Sequence, residues 1–191
     1  VIGEGVQFLL QSLGNLFVIA LLLRFEMQLF RVPFRNPFAQ FIVAVTDFVV
    51  KPARRVIPGL FGLDLPTLVL ALLIELGVVV AVYWLSDFPF ALAGARIWPV
   101  MLGLGLVRLA SLAVYLLIGM SLVRAVLSWV NPYSPLMPVV TDLTEPFTRP
   151  FRRIIPLVGN VDLSPLALII VCQLVLIVPI QATERMLLGQ F

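Results

Sequence analysis

Apolar residues fall into four long runs, and polar residues are confined to the breaks between them and to a few positions inside them. The first run, 6–23, is closed by Arg24, and the others occupy 65–85, 104–129 and 163–183. About 20 apolar residues suffice to carry a helix across a hydrocarbon layer, so each run is expected to span a membrane. Two intervening stretches carry a different pattern. Phe38, Phe41, Ile42, Val45 and Val49 recur at helical spacing, with Gln40, Ala44, Asp47 and Lys51 mostly elsewhere, which predicts an amphipathic helix. Asn36 and Pro37 supply its N-cap and first position, and Pro52 is expected to end it. Leu136, Val139, Val140, Leu143 and Phe147 form a second such face behind Ser134 as N-cap, made less regular by Pro138 and Pro146. Both helices are too short to span. A place in the headgroup layer is the preferred expectation, with a re-entrant segment as the alternative.

The two halves of this pattern are copies. A shift of 98 positions lays Asn36-Pro37 on Ser134-Pro135, Lys51-Pro52-Ala53-Arg54-Arg55 on Arg149-Pro150-Phe151-Arg152-Arg153, Ile57-Pro58 on Ile155-Pro156 and Asp64-Leu65 on Asp162-Leu163. Arg24 pairs with Arg124 at an offset of 100, so the copies differ by two residues ahead of Asn36. The chain divides into a first repeat at 1–86, a connector at 87–99 and a second repeat at 100–191. With this motif in both copies, the sequence resembles the YggT family of small integral membrane proteins. The resemblance implies an inner-membrane protein. Bacterial members of that family are associated with osmotic-stress tolerance and potassium homeostasis, and relatives with division or organelle cytochrome assembly.

The expected fold is therefore an all-α membrane protein. Its four transmembrane helices form two parallel two-helix repeats, each with a short amphipathic interfacial helix in its loop, related by an approximate two-fold along the membrane normal. Of the 13 Lys and Arg residues, Arg24, Arg31, Arg35, Lys51, Arg54, Arg55, Arg124, Arg149, Arg152 and Arg153 lie at the motif end, against Arg96, Arg108 and Arg185 at the other. The excess places the motif loops in the cytoplasm and both termini outside. Arg108 and Arg124 bracket the third run and are expected to snorkel to the two interfaces.

Composition fits this picture: 61% of residues are hydrophobic and 12% charged, with a net charge of +3 that reads as topology and not as nucleic-acid binding. Histidine is absent and Cys172 is the sole cysteine, so a conventional catalytic centre, a thiolate metal site, an internal disulfide and a histidine-ligated haem are not expected, and no cofactor is. The stretch VIGEGVQFLL has neither the basic lead-in nor the cleavage pattern of a secretory signal.

Two groups of residues carry candidate chemistry. Glu75 lies near mid-membrane, where a carboxyl is costly and faces a cavity or the bundle interior. Gln173 occupies the same place in the second repeat, and Gln7, Gln11 and Asn15, spaced by four, put amides on one face of the first span. Gln11 and Asn15 correspond to Ser111 and Tyr115 across the repeat. These residues line either a cation or proton path or a hydrogen-bond network that merely holds the bundle, with Glu75 bonded to Gln173 or to an amide of the first helix. The second group is the loop motif: Arg24, Arg54, Arg55 and Asp64, repeated as Arg124, Arg149, Arg152, Arg153 and Asp162. Its guanidiniums suit anionic lipid headgroups or a membrane-protein partner, and its aspartates suit helix capping. Two classes follow: an ion-homeostasis protein acting as a homo-oligomer, or a non-catalytic scaffold for an envelope, division or cytochrome complex.

Overall fold

A computed structural model describes residues 2–59, 62–90, 94–155 and 162–189. Four helices are long and apolar enough to cross a membrane: α1 (Ile2–Leu29), α3 (Leu65–Leu85), α4 (Ile97–Val130) and α6 (Ser164–Leu188). Two amphipathic helices connect them within each repeat, α2 (Pro37–Val56) and α5 (Met137–Ile154). The chain is a four-helix membrane protein built as two tandem parallel repeats.

The helices outrun the apolar runs that predicted them. Pro52 does not end α2, nor do Pro146 and Pro150 break α5, because each proline ring lies on the exposed face, where water can take up the orphaned carbonyl. Arg54-Arg55 and Arg152-Arg153 are consequently the last turns of helices, not loop residues. α1 continues past Arg24 to Leu29 and turns back with Arg31 at φ 56°. There the Val32 and Arg31 amides donate to the Met27 and Gln28 carbonyls at 2.8 and 3.2 Å. α4 begins at Ile97 and not in the 104–129 run, absorbing the end of the expected connector, whose residues 91–93 lie outside the described residues. The tail after Thr183 stays helical to Leu188, and Leu176–Ile180 is wound as a π-helix with Pro179 inside it.

The caps are also only partly as expected. Asn36 caps α2, its Oδ1 accepting the Phe38 amide at 2.8 Å. α5 starts after Leu136, two residues beyond the expected Ser134 cap, although the Ser134 hydroxyl still accepts the Leu136 amide at 3.3 Å. Asp64 stands at the N-cap of α3 without bonding its amides, its carboxylate being engaged by side chains; Asp162 does cap α6, accepting the Ser164 amide at 2.9 Å.

The core has a motif-end cluster and an opposite-end cluster. The larger joins Val18, Leu21, Leu22 and Met27 of α1 to Ala71, Leu112, Leu116, Val139 and Leu143; the smaller centres on Val79, Ile97, Met101 and Leu104. At the motif end the repeats meet directly. Asn36 Nδ2 donates to the Pro135 carbonyl, and the Phe30 and Phe147 rings pack edge to face at 5.8 Å.

The expected two-fold is incomplete. α3 packs against both α1 and α4, whereas its counterpart α6 packs on α4 and makes no comparable contact with α1. The same asymmetry shows at two matching glycines: a Cβ on Gly105 would meet Leu76 at an ordinary contact distance of 3.5–3.6 Å, whereas one on its repeat counterpart Gly5 would have nothing within 4 Å. Gly14 is tighter still, with a Cβ there only 2.4 Å from Val78 Cγ2. Gly14→Ala is therefore expected to cost about 1–3 kcal/mol as α1 and α3 are pushed apart. Gly119→Ala, with nothing within 4 Å, should be neutral or slightly stabilising. Unfolding midpoints in detergent check the pair, and equal midpoints would deny the close approach.

Candidate functional site: a polar chamber among four spans

Glu75 sits ten residues into α3, about 15 Å along its axis. It is 1% exposed, and its Oε2 is buried without a hydrogen-bond partner. It forms part of the wall of a chamber of about 230 Å³ lined by Gln11 and Asn15 of α1, Arg108, Ser111 and Tyr115 of α4, and Glu184 of α6. Five of the six intramembrane candidates thus converge. They do so because the polar stripes of α1 and α4, aligned by the repeat, both turn toward α3.

Gln173 is the exception. It is exposed on the outer face of α6 and does not line the chamber, so the expected bond to Glu75 is not made. The incomplete two-fold is the reason: α6 takes no place against α1 to match that of α3. Two chamber residues were assigned elsewhere or overlooked. Arg108 does not snorkel outward; its Nε points to Glu184 Oε1 at 3.9 Å, and its side chain is largely buried. Glu184 lay in the presumed polar tail, and only the length of α6 brings it to the site.

Toward the motif end the same helices continue into the apolar cluster that holds Val18, Leu21, Ala71 and Leu116. The chamber is open at its side, where Gln11 and Tyr115 are exposed. Gln7 extends the stripe beyond it, donating to Ser86 Oγ at 3.1 Å.

The motif end holds a second polar system. Arg24 is 5% exposed, and its Nη1 donates to Thr46 Oγ1 at 2.7 Å and pairs with Asp47 at 2.9 Å. Arg124 does not snorkel either. It is buried, donating to Thr144 and Thr148 at 2.8 and 3.1 Å and pairing with Glu145 at 2.9 Å. Thr46 and Asp47 fall on Thr144 and Glu145 at the repeat offset of 98. One buried arginine per repeat therefore fastens the amphipathic helix to its span. A second pairing fastens that helix to the next span: Arg54 to Asp64 at 2.5 Å, and Arg152 to Asp162 at 3.0 Å. Of each arginine pair, the first member is so engaged, while Arg55 and Arg153, with Arg149, are exposed and form no ion pair among the described residues.

The family described as CCB3/YggT matches residues 4–85 and again 103–183. The chain belongs to the CCB3/YggT family. It is 40% identical over 169 residues to a Vibrio alginolyticus protein encoded in the region 3′ of proC, covering 87% of this chain and 89% of that one. A Pseudomonas aeruginosa protein is 37% identical over 166 residues, 83% of this chain and 80% of the relative. The protein named YggT in Escherichia coli K12 is 33% identical over 185 residues, 95% and 94% of the two chains. No solved structure matches.

Proposed function

We propose that this CCB3/YggT protein serves ion homeostasis in a bacterial inner membrane under osmotic stress, with the chamber around Glu75 as the point where an ion or proton enters the bundle. The observation that carries this reading is the Glu75 Oε2, buried without a partner at a polar chamber fed by four spans. A purely structural carboxyl would be bonded to a neighbour, since an unsatisfied polar atom at this depth costs free energy. The excess of Lys and Arg at the motif end supports a cytoplasmic position for that end, and hence termini outside. The apolar cluster of Val18, Leu21, Ala71 and Leu116 then lies on the cytoplasmic side of the chamber. Gln11 and Tyr115 face sideways at mid-span, where hydrocarbon is a poor neighbour, and a second copy would cover them.

In proteoliposomes, wild-type protein is expected to pass potassium or protons and Glu75→Gln to lose at least about ten-fold of that flux. Equal flux in the variant would remove Glu75 from the path. If wild type passes neither ion, the second reading takes over: a scaffold that holds anionic lipid or a membrane partner through the exposed Arg55, Arg149 and Arg153.

A further inference from the structure

The chamber contains two carboxyl groups and one guanidinium, and among the described residues no other charged side chain lines it. Glu75 comes from α3, Arg108 from α4 and Glu184 from α6, while α1 contributes only the neutral Gln11 and Asn15 and α4 the neutral Ser111 and Tyr115. With both carboxyls ionised the group carries one net negative charge in a low-dielectric setting. A single positive charge restores neutrality.

We infer that this charge is a proton taken up by Glu75, and not a metal cation, an inference that rests on the ion-entry reading of the same chamber. A dehydrated potassium ion needs a cage of oxygens such as a ring of free carbonyls. The chamber walls are helical, so their backbone carbonyls are committed to the helices, and the Ser111 hydroxyl donates to the Val107 carbonyl at 2.9 Å. Arg108 moreover already places a fixed cation inside the chamber, which repels a second one. A proton needs one oxygen, and the Glu75 carboxyl, with Oε2 buried without a partner, supplies it. At roughly 30 Å³ per molecule, the chamber holds about seven waters, enough for a proton to arrive on a hydrogen-bonded chain. The step is a simple exchange: a hydronium in the chamber gives its proton to a Glu75 oxygen and is left as water, and on release the carboxyl returns the proton to a water, re-forming hydronium. Arg108 sets the balance, since it can neutralise Glu184 or Glu75 but not both.

Infrared difference spectra of the reconstituted protein on acidification test this directly, alongside separate proton and potassium flux. A protonated-carboxyl band is expected that is absent in Glu75→Gln. Its pH midpoint should rise by roughly 1–3 units in Arg108→Gln, which removes the opposing cation, and fall in Glu184→Gln, which frees that cation for Glu75. A band that appears without any flux keeps the proton site and overturns the transport reading. Potassium flux that Glu75→Gln abolishes, with no carboxyl band in wild type, keeps transport and overturns the proton. A band unchanged in Glu75→Gln overturns the assignment to Glu75, and the Glu184→Gln midpoint decides this even where Arg108→Gln fails to fold.

Discussion

Asp47→Ala is expected to destabilise the protein by about 3–5 kcal/mol, more than most single changes on its surface. Among the described residues its carboxylate is the sole anion paired with Arg24, a guanidinium buried to 5% exposure where α2 lies against α1. Without Asp47, Arg24 retains only the Thr46 hydroxyl at 2.7 Å and the Val43 carbonyl at 3.4 Å, two dipoles against a full charge. The free energy is lost through the stranded cation and not through the missing contact. The double variant Arg24→Met/Asp47→Leu removes both charges and keeps the volume, so it should recover most of the loss. Lys51, the other partner of Asp47, is 72% exposed and returns to water with little effect. Denaturant unfolding in detergent micelles measures the set. A double variant no more stable than Asp47→Ala would mean that the pair acts through geometry and not through charge. The second repeat should respond less sharply to Glu145→Ala, because Arg124 keeps two threonine hydroxyls in place of one.

That anchor marks the boundary of what the sequence discloses. The repeat, the four spans and the amphipathic helices are legible because they depend on hydrophobic period and on offset, which are properties of the chain itself. The chamber is legible for Gln11, Asn15, Ser111 and Tyr115 because a stripe at helical spacing must face one way, and aligned repeats must turn their stripes to matching places. Gln173 misleads for the same reason: repeat logic pairs it with Glu75, but α6 does not pack on α1 as α3 packs on α4. Arg24 and Arg124 read as interfacial charges because a sequence does not reveal that Thr46 and Asp47, or Thr144 and Glu145, wait on another helix to receive them. Pro52 reads as a stop because its exposure, which makes it tolerable, is a tertiary fact. Arg108 and Glu184 are more than 70 residues apart, and only the full length of α6 joins them.

Acid should unfold the protein through the aspartates of the motif end. Burial alone would raise the pKa of Asp64, but hydrogen bonds from Arg54 and from the Thr67 hydroxyl outweigh it and hold the carboxyl below the ordinary aspartate value of 3.8. Asp162 follows the same balance, with Ser164 and Arg152 outweighing burial, and Asp47 is lowered chiefly by its bond from Lys51, with Arg24 adding to it. Each group binds a proton less readily in the folded protein than in the unfolded chain. The stability they confer is therefore complete above the unfolded value and is lost as pH falls through the lower folded values. The contribution of these aspartates is expected to be level above about pH 5, and unfolding midpoints to fall steeply below about pH 4. Asp64→Asn should start from a lower midpoint and show a shallower acid slope, because the amide can still accept from Thr67 but has no charge to lose. An acid slope identical to wild type would exclude Asp64 as a contributor.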